Sequence, residues 1–272
     1  AVNRATSDLW SQYFPLLASA FFVGVMLPID IMLASTLESG SVSIFNLGTK
    51  IVLFFSGLLG AVVSNVMLPY FSSMMDKKNP HLAKKELSFF ILAATFISVP
   101  ASIILYIFSE QFVGLIFYSN LFSETDLVGV KSVMQYSVVQ IPFFISNVIL
   151  LKYATATRHM RAITISAFVG LLLNVSLSLV LMPKMGVSGI ALATTIAMIV
   201  SSAIILIMLL FYKHISITDN IVVLLNWMLF LTLVVALHFQ SMSSVVMTII
   251  TYAAMLFSYT KLINNRVELL AV

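Results

Sequence analysis

Apolar runs of about twenty residues recur along the whole chain, and that recurrence restricts it to one kind of fold. Only 9% of the 272 residues are charged and 61% are hydrophobic, whereas a soluble domain carries roughly 25% charge. Inside lipid every backbone N–H and C=O needs an internal partner, so a spanning segment is either a helix or a strand of a closed barrel. Barrel strands are segments of about ten residues with alternating polarity. These runs do not alternate, so the expected fold class is all-α: a polytopic membrane helix bundle of about eight transmembrane helices. The spans are read at about 13–37, 44–71, 87–109, 129–152, 162–183, 186–212, 220–239 and 243–262.

Turn chemistry separates several spans. Asn79-Pro80 marks one loop, and Pro183-Lys184-Met185-Gly186 predicts a tight hairpin between the fifth and sixth spans. Pro28, Pro100 and Pro142 fall inside spans, where each removes a helix hydrogen bond and can kink or break the helix. Asp76–Glu86 is the most charged connection and is expected to lie as a short amphipathic stretch at the headgroups. Glu110–Val128 reads as an interfacial connection in which Ser123 caps a helix and Asp126 sits at its third position.

Loop charges predict the orientation. Arg4, Lys77, Lys78, Lys84, Lys85, Lys152, Arg158, Arg161, Lys213, Lys261 and Arg266 fall on one side of the bundle. Only Lys131 and Lys184 fall on the other, and Lys50 lies within a span. An excess of Lys and Arg marks the cytoplasmic face, so both termini are expected there. The same topology accounts for the net charge of +4 without nucleic-acid binding. There is no cysteine, so disulfides, thiolate metal sites and cysteine nucleophiles are excluded. The first residues read Ala-Val-Asn-Arg, and the chain is expected to be a fragment or separately encoded half of a longer polypeptide.

Asp30 is the residue most in need of an explanation. It lies within the run Phe14–Leu37, where an ionised carboxylate is expensive unless it faces a cavity or a partner. At 1.5 Å per residue it sits about 10 Å from the outer end of the first span. Lys50 enters the second span to nearly the same depth. Asn174 and Ser178 lie one helical turn apart, close to the outer hairpin, and Thr194 descends from that hairpin on the next span. These five residues are therefore expected in one layer. Asp30, Asn174, Ser178 and Thr194 could coordinate a small cation such as Na⁺, because oxygen ligands suit hard cations, or Asp30 could cycle a proton. Lys50 could attract the phosphate of an anionic lipid. An Asp30–Lys50 ion pair, with the hydroxyls bonded back to their own helices, is the plainer alternative.

Other polar positions are scattered through the spans. Ser56, Gly57, Gly60, Ser64 and Asn65 give the second span a small polar face, and Gln135, Gln140, Ser146 and Asn147 dot the fourth. They can line a cavity for sugar hydroxyls or bond between helices. Gly186, Gly189 and Ala193 predict close packing of the fifth and sixth spans. His81, His159, His214 and His238 form no metal-ligand pattern. A membrane transferase needs clustered carboxylates for Mg²⁺, and the loops offer only Asp76, Glu86 and Asp219 in separate places, so no enzyme is expected.

From about Phe14 to Lys213 the layout resembles the C-terminal lobe of lipid II flippases of the MurJ/MviN type, in the multidrug/oligosaccharidyl-lipid/polysaccharide exporter superfamily. The residues that carry the resemblance are Ile29-Asp30-Ile31-Met32-Leu33-Ala34-Ser35, Gly48-Thr49-Lys50-Ile51 through Gly57-Leu58-Leu59-Gly60-Ala61, Val66-Met67-Leu68-Pro69-Tyr70-Phe71-Ser72, Leu121-Phe122-Ser123, and Pro183-Lys184-Met185-Gly186-Val187-Ser188-Gly189. The resemblance implies a two-lobe transporter that works by alternating access. The segment 1–212 would be the six-helix second lobe, and 213–272 a peripheral two-helix hairpin beside a lipid groove. It implies an undecaprenyl-pyrophosphate-linked glycan as substrate, with Lys50, Asn65 and Gln140 as substrate-binding candidates. It also implies coupling to Na⁺ or H⁺ through Asp30, Asn174, Ser178 and Thr194, with no other cofactor. The location would be a bacterial cytoplasmic membrane, and the partners membrane lipids and a missing N-terminal lobe. Two departures stand out: the Asp-Arg pair typical of the family reads Thr49-Lys50, and the acidic residue expected one turn after Asn174 is Ser178. Another lipid-linked polysaccharide, or a drug exchanged for a cation, are the alternative cargoes.

Overall fold

A computed structural model describes residues 2–76, 80–117, 123–212 and 217–238, together with the isolated positions Ile250, Ala253, Ala254 and Phe257. The described residues are helical almost throughout: α1 (Val2–Ser35), α2 (Ser41–Asp76), α3 (Pro80–Ile107), α4 (Ser109–Phe117), α5 (Glu124–Val138), α6 (Ile141–Ala156), α7 (Met160–Met185), α8 (Val187–Phe211) and α9 (Ile217–His238). Six stretches among them are long and apolar enough to cross a membrane, at Tyr13–Ser35, Ser41–Met75, Glu86–Ile107, Glu124–Ala156, Met160–Met185 and Val187–Phe211. The polytopic helical fold is thus as expected. The expected seventh span coincides with α9, whose strongly apolar part is the shorter Val223–Val235. The eighth, at 243–262, lies outside the described residues apart from the four isolated positions.

The fourth span differs from its reading. It is two helices, α5 and α6, with a break at Val139 and Gln140. Pro142, expected to kink or break its span, sits in the first turn of α6 directly after that break, where its missing N–H matters least. Asp76–Glu86 also differs. Positions 77–79 lie outside the described residues, and α3 runs unbroken from Pro80, so its first turns occupy the expected interfacial stretch. Glu86 is buried there, with the Tyr70 hydroxyl 3.0 Å from its Oε2.

The cap at Ser123 forms as expected. The Asp126 N–H donates to Ser123 Oγ at 3.2 Å, and the Ser123 N–H donates back to Asp126 Oδ2 at 3.0 Å. Ser123→Ala should lower thermal stability by about 1 kcal/mol and leave transport intact, which a melting curve would show. Nearby, Lys131 Nζ donates to Glu110 Oε2 at 2.6 Å. That bond holds the exposed Glu110 carboxyl below the usual carboxylate range.

Apart from the α7–α8 hairpin, the main packing is between helices distant in sequence. α7 and α8 form an antiparallel hairpin that turns at Gly186, whose φ of +58° lies in the region that favours glycine. A Cβ on Gly189 would lie 2.7 Å from the Leu181 carbonyl, so the small face expected at Gly186 and Gly189 does let these helices meet closely. α1 packs on α7, and α2 packs on both α5 and α6. The largest core joins α2, α3, α6, α8 and α9, centred on Phe71, Phe143 and Tyr153. Trp227 and Phe230 of α9 stand 5.3 and 5.9 Å from Phe143, ring centre to ring centre. A smaller core of Leu33, Ala34, Phe45, Val133 and Ile190 closes the end where α1 turns into α2 and α7 into α8.

Candidate functional site

That closed end presents Asp30 to two other helices. Asp30 lies one turn and a little more before the end of α1, and the side chain is 1% exposed. The Thr194 hydroxyl on α8 is 2.9 Å from Asp30 Oδ2 and 3.0 Å from the Ile190 carbonyl. Asn174 on α7 donates from Nδ2 to Thr194 Oγ1 at 2.9 Å. Thr194 has one proton, so it can donate fully to only one of its two acceptors. Three helices are thus tied together by a chain of side-chain bonds inside an apolar bundle.

The chain of bonds is incomplete in a specific way. Among the described residues, Asp30 Oδ1, Asn174 Oδ1 and Ser178 Oγ are buried and have no hydrogen-bond partner. Asn174 and Ser178 are both fully buried and one turn apart on α7. Uncompensated oxygens of this kind are costly in a low-dielectric interior and are uncommon in folded proteins. One is the carboxylate's own oxygen, a second belongs to Asn174, which shares the Thr194 hydroxyl with it, and the third lies one turn along α7; oxygens of these types are hard ligands suited to a small cation. Among the described residues no group of three or more His, Cys, Asp or Glu could hold a metal ion, so the site lacks the charge that a divalent centre usually has.

The substrate-binding candidates sit elsewhere. Lys50 and Asn65 are both exposed on α2, and Gln140 is half-buried at the α5–α6 break. The Asp30–Lys50 ion pair allowed for in the sequence does not form: Lys131–Glu110 is the salt bridge found among the described residues. Lys50 belongs to an exposed stripe on α2 with Asn46, Gly57, Ala61 and Asn65. Polar groups of this kind do not face hydrocarbon when they can face a cavity or another protein surface.

Two bonds follow the plainer alternatives open in the sequence. The Ile190 carbonyl accepts from Thr194, as a threonine's bond back to the residue four before it allows. Asn147 on α6 donates to Ser202 on α8 at 3.1 Å, so this part of the polar face of the fourth span bonds between helices.

A family model described as "Lipid II flippase MurJ" matches residues 6–265, nearly the whole chain. The chain belongs to the MurJ lipid II flippase family. A probable lipid II flippase MurJ from Buchnera aphidicola subsp. Baizongia pistaciae is 25% identical over 199 residues, covering 73% of this chain and 37% of that protein. The corresponding protein of Thermotoga maritima is 28% identical over 171 residues, covering 63% of this chain and 35% of its own length. This chain therefore spans little more than a third of these MurJ relatives. A solved structure of lipid II flippase MurJ in an inward closed conformation superposes with a TM-score of 0.69 at 21% identity, over 96% of this chain and 56% of that one. An outward-facing multidrug transporter of the MATE family superposes at 0.64 with 14% identity, over 92% of this chain and 62% of that one. At these identities the superpositions establish the shared fold.

Proposed function

We propose that this chain is the second lobe of a two-lobe flippase that moves an undecaprenyl-pyrophosphate-linked glycan of the lipid II class across a bacterial cytoplasmic membrane by alternating access. The observation that carries the reading is the buried cluster of Asp30, Thr194 and Asn174, tied across three helices, with unpaired oxygens on Asp30, on Asn174 and on Ser178 one turn along α7. Membership of the MurJ family supports the cargo, and the short span relative to its members supports a missing first lobe. The basic ends of the helices support cytoplasmic termini. A hairpin beside the six-helix lobe, built around α9, would border the lipid tail.

In this reading Asp30 Oδ1, Asn174 Oδ1 and Ser178 Oγ hold Na⁺, which neutralises the carboxylate and supplies a charge whose gradient can bias the lobe. Na⁺ is favoured over H⁺ because a proton needs one acceptor, whereas three orphaned oxygens await a partner. Thr194 keeps Asp30 and Asn174 in register. Lys50 faces the missing lobe and attracts the pyrophosphate, with Asn65 and Gln140 available to sugar hydroxyls. Lysine there is a point charge without the fork that binds phosphate in two places, which favours a related lipid-linked glycan as a second reading.

Depleting the full-length protein should make one undecaprenyl-linked glycan accumulate on the cytoplasmic leaflet, and no change in any such lipid refutes the proposal. Lys50→Ala should lower transport by about tenfold, while Lys50→Arg should retain it, in a vesicle flipping assay. Equal activity of the alanine variant and the wild type would remove Lys50 from the substrate path.

A further inference from the structure

The break between α5 and α6 frees a backbone carbonyl, and α8 takes it up. In an unbroken helix the Tyr136 carbonyl would accept from the Gln140 N–H, four residues on. That N–H turns instead to the Ser137 carbonyl at 3.2 Å, and Pro142 has no N–H to offer the Val138 carbonyl. The buried Thr195 on α8 fills the gap, its hydroxyl donating to the Tyr136 carbonyl at 2.9 Å. Hydroxyls inside a helix commonly bond back to their own helix, as those of Thr49, Thr95, Ser146 and Thr155 do here. Thr195 gives its proton to another helix. Seven residues further along α8, and so on much the same face, the Ser202 hydroxyl stands 3.1 Å from the Phe143 carbonyl and 2.9 Å from that of Met198. Side chains of α8 therefore reach the backbone on both sides of the interruption.

Thr195 is also the chain neighbour of Thr194, which is bonded to Asp30 and Asn174. Successive residues leave a helix about 100° apart, so one threonine meets the carboxylate on α1 and the other meets α5. Within one turn of α8 neither moves without the other. A cavity of about 250 Å³ lies on the α5 side, bounded by Tyr136, Val139, Thr195, Leu231 and Val234. The interrupted segment thus has free space beside it and lacks ladder bonds that an unbroken helix would make. Hinges are typically a few residues at the ends of elements, and proline marks most sharp helix bends.

We propose that Val139 and Gln140 form a hinge in this lobe and that Thr195 is the positioning residue that sets it from the Asp30 cluster. The proposal rests on the reading of that cluster as a cation site. With the site empty, the buried carboxylate draws the Thr194 proton toward Asp30 Oδ2. A bound cation neutralises the carboxylate, and the Thr194 proton goes to the Ile190 carbonyl. The turn of α8 that carries both threonines adjusts to this change, and Thr195 passes the adjustment to Tyr136 and so to α5. A small displacement is enough, because packed interfaces switch between arrangements and do not deform continuously. Thr195 touches neither the cation nor the cargo and acts only through the two helices it joins.

Spin labels report the hinge directly. Val128 is exposed on α5 and Lys152 lies near the end of α6, so labels at Val128→Cys and Lys152→Cys span the break. The full-length protein, cleared of other cysteines, is reconstituted in nanodiscs, and NaCl replaces choline chloride at constant ionic strength. The distance between the labels should shift with sodium when residue 195 is threonine. Thr195→Val keeps the bulk of the side chain and removes its donor. It should still melt higher with sodium, yet lose the distance shift and transport about tenfold more slowly. Thr195→Ala, equally without a donor, serves in its place if Thr195→Val accumulates poorly. Thr195→Ser should restore both the shift and the rate. Ser202→Ala loosens the far side of the break without adjoining Thr194 and should keep the shift. A protein that melts higher with sodium while its label distance stays fixed overturns the hinge and leaves the cation site standing. An undiminished shift in Thr195→Val, or an equal loss in Ser202→Ala, also overturns it. A melting temperature indifferent to sodium removes the cation site, and the hinge proposal with it.

Discussion

Asp30→Asn in the full-length protein should cut transport by about 100-fold while leaving its amount in the membrane within about twofold of wild type. The asymmetry follows from the bonds around it. Asparagine keeps the shape and one acceptor oxygen, and Thr194 can donate to the Ile190 carbonyl whichever way residue 30 is charged. Asp30 Oδ1 already lacks a partner, so the fold loses little when its charge is removed. What disappears is the negative charge that a cation needs. Thr194→Val should behave differently. It strips Asp30 Oδ2 and Asn174 Nδ2 of their shared partner at once, and it should lower stability by about 1–2 kcal/mol as well as transport. A melting curve and a flipping assay on both variants separate the two effects. If Asp30→Asn transports normally, the carboxylate has no part in coupling.

Gly48→Leu should all but eliminate folded protein from the membrane. Gly48 is buried where α2 crosses α5, and a Cβ placed on it would lie 2.6 Å from Val133 Cβ and 2.8 Å from the Val130 carbonyl. Real Cβ atoms do not approach that closely, and the carbonyl belongs to backbone that cannot rotate away. Overpacking a well-filled core typically costs about 1–3 kcal/mol, and a backbone clash adds to it. Gly57→Leu, nine residues further along the same helix and facing open space, should accumulate like the wild type. Comparing the two by fluorescence-detected size exclusion tests the α2–α5 contact directly. Equal yields would mean that α2 does not pack against α5 as described.

Much of this arrangement was legible because a bilayer converts sequence position into depth. Asp30, Asn174 and Thr194 could be set at one level by counting residues from the helix ends, and they are bonded to one another. Counting gives no azimuth. Lys50 was counted to that level too, but it is exposed and forms no ion pair with the buried carboxylate. Pro142 marked the fourth span for a kink or break, but Val138, Val139 and Ile141 continue the apolar run, so hydropathy gave no interruption at Gln140. Glu86 read as a loop charge because its partner, Tyr70, lies on the preceding helix, a pairing that only packing reveals.

The most direct test is the melting temperature of the purified full-length protein as NaCl replaces choline chloride at constant ionic strength. A ligand that binds the native state at 100 times its dissociation constant stabilises it by about 2.7 kcal/mol. The wild type should therefore melt higher with rising Na⁺ but not with K⁺, and Asp30→Asn should show no sodium response. A wild type whose melting temperature ignores sodium, or an Asp30→Asn variant that responds as the wild type does, would contradict a cation site at Asp30, Asn174 and Ser178.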